Sequence, residues 1–589
     1  MKTLQYRLAT LRSNPMPILA IALAAVLVYA ILGPVESVLS AAFVAHAGDP
    51  GVTQLPGHGT TFYLERMFSS RAADRLFYQP LWHSIELTAL TAALTIALGV
   101  GAGWLAARTD VWGGVRWNGI LIVAFMVPSW AFAQTWLTIF KNEHAAGGTG
   151  VLQSLGVRVP DALAYGLIPS VIVLSLHLFP LVMALSIDAF GRIDAAQEEA
   201  AVLLGASRLT VVRRIMLPGI RPTVLSAAML IAAGVMGDFG APYVLGLPVG
   251  YNVLATSLYG ELKNNRQGTA AVLATVVTLL GVLLIAGDSS LTRGAKRFQT
   301  LTGGTMRLQP IRLRFARPFA FALLVILAIV AFAGPLLILA GSTFVDKLGH
   351  VSLADLTTRY WWQGTGNRDF PTGLLRSADF WIGLRNTAAV AALAAIVCAI
   401  VGLVAAVLIR NSPGWIGSLL RQLTFLPHLV PGVALAAGLI ALFVVPRGPI
   451  PALYGTFTLI IIGMVISHLP FATRTGIAAV SQFGGELDDA ARMSGAGWLS
   501  TLRRVTVPLL RRTFGAAALF PFISGLKELT LIVMLSTISM QFLPALSLDL
   551  SEHGYTQQAN AVTTVITLLA VAGGILARRL GGMGAALAT

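Results

Sequence analysis

Long apolar stretches alternate with short polar segments along the whole chain. A helix that crosses the hydrocarbon core needs about 20 mainly apolar residues. Windows of that length predict six spans in the first half, near 16–43, 82–107, 118–140, 163–189, 222–246 and 268–288. Six more follow near 318–341, 380–409, 416–445, 453–480, 513–538 and 557–578. The predicted fold class is an all-α membrane protein of about 12 transmembrane helices. The basic start (Lys2, Arg7, Arg12) and the small residues Ala45-His46-Ala47 invite comparison with a cleaved leader. A leader's apolar core is only about 7–15 residues. Here the apolar region opens near Met16, some thirty residues before that site, so an uncleaved first helix is expected. Its counterpart after residue 318 supports this reading.

Composition agrees with the pattern. Of 589 residues, 56% are hydrophobic and 11% charged, with a mean hydropathy of +0.77. Ordinary soluble domains carry about 25% charged residues. A soluble enzyme, a disordered tail and a coiled coil are thereby excluded. Cys398, the only cysteine, excludes an intramolecular disulfide and a cysteine-based metal cluster. The net charge of +16 raises the question of nucleic acid. The Lys and Arg residues sit mostly in short loops, however, as the positive-inside rule requires. No nucleic-acid partner is expected; the lipid bilayer is. Segment 289–317 holds Arg293, Lys296, Arg297, Arg307, Arg312, Arg314 and Arg317 and no acid, which places it in the cytoplasm. Both chain ends are basic, and an even number of spans puts them on that same side. The segments 45–80 and 342–378 then face outward.

The two halves repeat. Residues 199–222 (EAAVLLGASRLTVVRRIMLPGIRP) and 489–512 (DAARMSGAGWLSTLRRVTVPLLRR) are identical at nine of 24 positions. The same offset pairs Pro180 with Pro470 and Asp238 with Glu528. The expected organisation is a first six-span repeat at 1–290, a flexible basic cytoplasmic linker at 291–317 and a second six-span repeat at 318–589. Two parallel repeats imply a pseudo-two-fold axis along the membrane normal, with a pathway at their interface.

Each repeated segment lies between the fourth and fifth spans of its half, on the cytoplasmic side. Leu203 and Leu204 give a first short helix its apolar stripe. Gly205 suits the positive φ of a helix end. Ser207 suits the cap of a second short helix, which Pro218 is expected to end. A plain connecting loop does not need the same acid, Ala-Ala, Gly and Pro at one register twice.

The pattern E-A-A-x3-G-x9-I-x-L-P resembles the EAA loop of permeases of binding-protein-dependent ABC importers. The first copy, within 192–221, matches at Glu199, Ala200, Ala201, Gly205, Ile215, Leu217 and Pro218. The second, within 484–512, matches at Ala490, Ala491, Gly495 and Pro508, with Asp489, Val505 and Val507 as conservative replacements. The resemblance implies the type I ABC importer permease fold. It implies that each loop docks on one of two copies of a cytoplasmic ABC ATPase. It also implies an extracytoplasmic solute-binding protein and residence in a bacterial inner membrane with both termini cytoplasmic. No G-x-x-x-x-G-K-[ST] segment is present to cradle phosphates. No paired His/Glu metal motif or nucleophile-and-base set is visible either. Hence neither catalytic residues nor a cofactor nor a metal is expected on this chain, and ATP-Mg is expected on the partner ATPase.

Ionisable residues inside spans cost roughly 2.5–3.5 kcal/mol on insertion scales and mark candidate functional positions. Glu86, Asp238, Lys527 and Glu528 are such residues, and His177 and His468 precede Pro180 and Pro470. A gate or pathway role stands beside a structural one for Asp238 and Glu528, and helix packing is the simpler reading of both histidines. Fusion of two units, with Gly237-Asp238-Phe239-Gly240 and Lys527-Glu528-Leu529-Thr530, resembles the ferric-iron permeases of the family. Thr530 stands where that group has proline. Thiamine, phosphonate and polyamine permeases share parts of these features. The rival classes are a secondary transporter, whose charged loops would follow the second span of each half, and a non-transporting membrane scaffold.

Overall fold

The computed structural model describes the chain except residues 1–14, 47–48, 50–51, 53, 147–148, 194, 296–309, 349–354, 365–371, 449, 483–489, 492 and 580–589. Most of the linker thus lies outside the described residues, as do both chain ends and Asp489. In the first half, α1 (Met16–Ala41) and α2 (Gln79–Arg108) are continuous, and α3 (Arg116–Met126) meets α4 (Ser129–Phe140) at 81°. Then come α5 (Leu167–Gly191), the loop helix α6 (Ala195–Leu203), α7 (Leu209–Gly237), the short α8 (Gly240–Gly246), α9 (Leu254–Lys263) and α10 (Gln267–Ala295). The second half repeats the order. It comprises α11 (Arg314–Ser342), α12 (Ala378–Asn411), α13 (Gly414–Phe425), α14 (Gly432–Phe443), α15 (Phe457–Gln482), α16 (Val507–Leu526), α17 (Thr530–Leu535), α18 (Leu543–Glu552) and α19 (Thr556–Arg579).

All twelve predicted spans coincide with apolar helix. Among the described residues, nine helices are long and apolar enough to cross a membrane unbroken. The third span of each half is instead two short helices. The cause is a Val-Pro step. Proline excludes the helical conformation from the residue before it. Val127 accordingly has ψ 127° and Val430 ψ 114°, and a new helix starts just after Pro128 and Pro431. The fifth spans also break, at Asp238 and at Lys527–Leu529.

The expectation that Pro218 ends a separate short helix is wrong. α7 runs from Leu209 through Pro218 to Gly237. A wide π-helical turn at Val212–Met216 precedes the proline, and Leu502–Thr506 does the same before Pro508. Such a turn shifts the hydrogen-bond register, so a residue without an N–H is accommodated in the first turn that follows.

Within each half the second, fourth and fifth spans pack together. A Cβ on Gly99 would lie 2.6 Å from Val182 Cβ, and one on Gly402 would lie 2.7 Å from Ala472 Cβ. Only glycine permits α2 to approach α5, and α12 to approach α15, this closely. The halves then interlock. α4 packs on α11 and α19 of the second half, and α14 packs on α1 and α10 of the first.

Hydrogen bonds give the repeat an atomic register. Leu254 N–H donates to Ser84 Oγ (2.8 Å), and Leu543 N–H donates to Thr387 Oγ1 (3.0 Å). The His83 ring contacts the Asn252 carbonyl and Asn386 Nδ2 donates to the Gln541 carbonyl, each at 2.9 Å. Positions 83–84 thus match 386–387, 303 residues on, while 252–254 match 541–543, 289 residues on.

Candidate functional site

Two regions hold the residues singled out by sequence. In the first, the repeated loops, α6 is followed by Gly205, where φ is +86°, and Gly495 has φ +78°. Ala206 N–H reaches back to the Ala201 carbonyl (2.9 Å) and Ala496 N–H to that of Ala491 (3.0 Å), so both copies close alike. Ser207 Oγ accepts from Thr210 N–H at 3.2 Å, which caps the start of α7. Phe190, Val211, Met216 and Ile220 are buried and seat the loop on the ends of α2 and α5. Glu199, Ala200, Gly205, Leu217 and Pro218 remain exposed, with Ala201 and Ile215 half-buried. In the second copy Ala490, Gly495, Val507 and Pro508 are exposed, with Ala491 and Val505 half-buried. The exposed apolar side chains also repeat. Leu203 (87% exposed) matches Met493 (90%), Leu209 matches Leu499, and Leu217 matches Val507.

The sequence reading missed one anchor. Arg108, fully buried at the C-terminal end of α2, forms an ion pair with Glu198, the residue before Glu199. Burial pushes the Glu198 carboxyl up from its ordinary value, and the Arg108 guanidinium pulls it part of the way back. Next to this pair the C-terminal end of the linker is pinned. Ile311 N–H donates to the Arg108 carbonyl (2.8 Å), and Leu313 N–H donates to Asp110 Oδ1 (2.9 Å). A basic residue ending an apolar span and an acid beside the repeated motif were the available signals.

In the second, where the halves meet at the helix breaks, the structure gathers Asp238, Lys527, Glu528 and His177. Asp238 Oδ1 accepts from Ala241 N–H (3.0 Å) and Glu528 Oε1 accepts from Leu531 N–H (3.2 Å). Both carboxylates therefore cap the short helices that follow the breaks, α8 and α17. A negative group at a helix N-terminus is favoured by the unpaired amides and the dipole. Lys527 attracts both carboxylates and crosses to the first half, donating to the Phe125 carbonyl at 2.7 Å. Its ammonium lies 4.7 Å from the centre of the Phe125 ring, on which His177 stacks at 5.1 Å. His468 is buried within the electrostatic reach of Lys527. Glu86 stands apart, near Tyr251 towards the N-terminal end of α2. Among the described residues, no three His, Cys, Asp or Glu side chains converge as a metal site.

Two interlocked helical repeats, each with one exposed loop before its fifth span and with a charged group at their contact, define a two-repeat membrane transport component. The family described as "Binding-protein-dependent transport system inner membrane component" matches residues 99–337 and again 398–583, and the chain belongs to it. A probable ABC transporter permease, y4fN of Sinorhizobium fredii, is 27% identical over 528 residues, 85% of this chain and 87% of its own length. The Fe(3+)-transport system permease protein FbpB 2 of Haemophilus influenzae is 23% identical over 520 residues, covering 88% of this chain and 91% of that protein. The ferric transport system permease protein FbpB of Actinobacillus pleuropneumoniae is 25% identical over 397 residues, 65% and 54% of the respective lengths. The chain is a multi-pass permease of the ABC importer class, and the secondary-transporter and scaffold readings give way to it.

Proposed function

We propose that this permease carries ferric iron across the inner membrane, delivered by an extracytoplasmic binding protein and driven by two copies of a separate ABC ATPase with ATP-Mg. The observation that carries the docking reading is the pair of repeat-related cytoplasmic loops with matched exposed side chains at Leu203/Met493, Leu209/Leu499 and Leu217/Val507. The iron reading rests on the ferric permeases among the relatives. Both termini are cytoplasmic in this reading. Closure of the ATPase dimer drives the loops, and the halves rock about the central axis. The loops make different contacts in the two ATPase states, since an equal affinity for both states shifts nothing. Each loop runs into its fifth span as continuous helix, and in the first half the Arg108–Glu198 pair ties it to the second span. Asp238, Lys527, Glu528, His177 and His468 are pathway or gate residues in this reading, at the junction of the halves. Glu86 lies nearer the outer mouth.

Gly205→Asp with Gly495→Asp tests the docking. A Cβ at either glycine meets nothing within 4 Å, so the spans keep their packing. The positive φ is lost from the preferred range of the new residue, and a charge enters the docking face. ATPase co-purification is expected to fall at least about tenfold, equivalent to about 1.4 kcal/mol of lost contact. Undiminished co-purification and uptake would refute the assignment. In cells, loop-dependent uptake of thiamine in place of ferric iron would keep the importer and overturn the solute.

A further inference from the structure

The outer helices α9 and α18 are repeat mates, and their last residues are Lys263 and Glu552, 289 positions apart. These two residues touch. Lys263 Nζ lies 3.3 Å from Glu552 Oε2. A position meets its own symmetry mate only on the symmetry axis. The ion pair therefore marks the outer end of the pseudo-two-fold axis, along which a pathway between parallel repeats runs. Two identical subunits would place like residues there, and like charges would repel. One fused chain can place a lysine on one side and a glutamate on the other.

The pair is built into the wall of the pathway. Tyr243 Oη donates to Glu552 Oε1 at 2.7 Å, so the carboxylate is held by α8 and α9 together. Lys263 Nζ sits 5.8 Å from the centre of the Tyr259 ring, which packs edge-on against Tyr243 at 5.4 Å. α8 begins at the Asp238 cap, so one short helix connects the outer pair to the charged group below. A cavity of about 550 Å³ opens beside the pair, lined among others by Tyr243, Tyr259, Glu261, Lys263 and Glu552. The Lys263 side chain is 56% exposed and that of Glu552 27%, so both remain hydrated. A hydrated pair is worth little and reopens readily, as a gate must.

We propose that Lys263, Glu552 and Tyr243 form a charge-paired gate that closes the outer end of the pathway and parts to admit solute. The gate rests on the importer reading above. Its test uses the permease reconstituted with its ATPase and binding protein. Lys263→Glu sets two carboxylates against each other. It should raise ATP hydrolysis without binding protein about two- to fivefold, the shift a partly screened pair provides. The swap Lys263→Glu/Glu552→Lys should return hydrolysis to the parent level. With Cys398→Ala as background, bridging Lys263→Cys to Glu552→Cys with a short thiol reagent should stop uptake, and reduction should restore it. A swap no better than the single reversal, or full uptake by the bridged protein, overturns the gate. Uptake that depends on Gly205 and Gly495 but ignores the pair overturns the gate alone. Uptake indifferent to both overturns the gate and the importer together.

Discussion

The two places where the halves interlock are repeat mates, yet they are held together by different physics. Where α4 meets α11, α18 and α19, the contact is polar and buried. Gln134 Nε2 donates to Ser547 Oγ (3.1 Å), and Thr563 Oγ1 donates to Gln134 Oε1 (2.5 Å). Asn560 Nδ2 serves both Thr138 Oγ1 and Ser342 Oγ at 2.9 Å. Where α14 meets α1 and α10, the corresponding positions are Ala437, Leu258, Ala274, Ala271, Ala441 and Ala41. No hydrogen bond is available to those side chains. Instead the backbones close in: a Cβ on Gly438 would lie 2.6 Å from the Pro34 carbonyl oxygen, and one on Gly33 would lie 3.1 Å from Leu442. Tyr29 and Phe443 meet edge-on, with ring centres 6.4 Å apart. Lipid offers no hydrophobic drive between helices, so close packing of small residues and interhelical hydrogen bonds are the two available means. This chain uses one at each interface. Fusion allows it, because the two repeats are free to diverge while the fold stays two-fold.

That difference can be broken in graded steps. Exposure of Cys398, buried and the only cysteine, to a thiol-reactive dye on heating reports unfolding in detergent. Gly438→Leu has the largest expected effect. Its Cβ meets backbone, which cannot yield as a side chain can, so α1 and α14 must separate, and a loss of about 3 kcal/mol or failure to assemble is expected. Gln134→Ala ranks next, at about 1–3 kcal/mol, because Ser547 and Thr563 lose a buried partner. Asn560→Ala follows at about 0.6–1.7 kcal/mol, between the mean and the largest value measured for hydrogen bonds between membrane helices. The triple change Gln134→Leu/Ser547→Ala/Thr563→Val should cost under about 1 kcal/mol, less than Gln134→Ala alone. Removing every polar partner together leaves no group unsatisfied. A triple variant weaker than the single would show that the network acts by more than mutual satisfaction.

The spans were legible because each is a long apolar run, and the paired loops because nine identical positions share one offset. The breaks at Val127-Pro128, Val430-Pro431 and Asp238 were not, because hydropathy averaged over a window carries straight across them. The dipeptides that cause them were visible but read as span interior. Pro218 was misread in the opposite sense, since a π-helical turn only five residues long is invisible to pattern. The Lys263–Glu552 contact was hidden by register. The single offset that aligned the loops does not pair these residues, because the outer helices are related by 289 and the second spans by 303. Gln134 and Ser547 lie 413 residues apart, and local pattern carries no record of such a pairing.

The most direct test of the central claim is ferric-iron accumulation in vesicles holding this chain with its ATPase, supplied with binding protein outside and ATP inside. Iron should accumulate only with ATP and binding protein together, and the Gly205→Asp/Gly495→Asp variant should abolish accumulation while its spans unfold at the parent temperature. Accumulation that persists in that variant, or that needs no ATP, would contradict coupling through the paired loops.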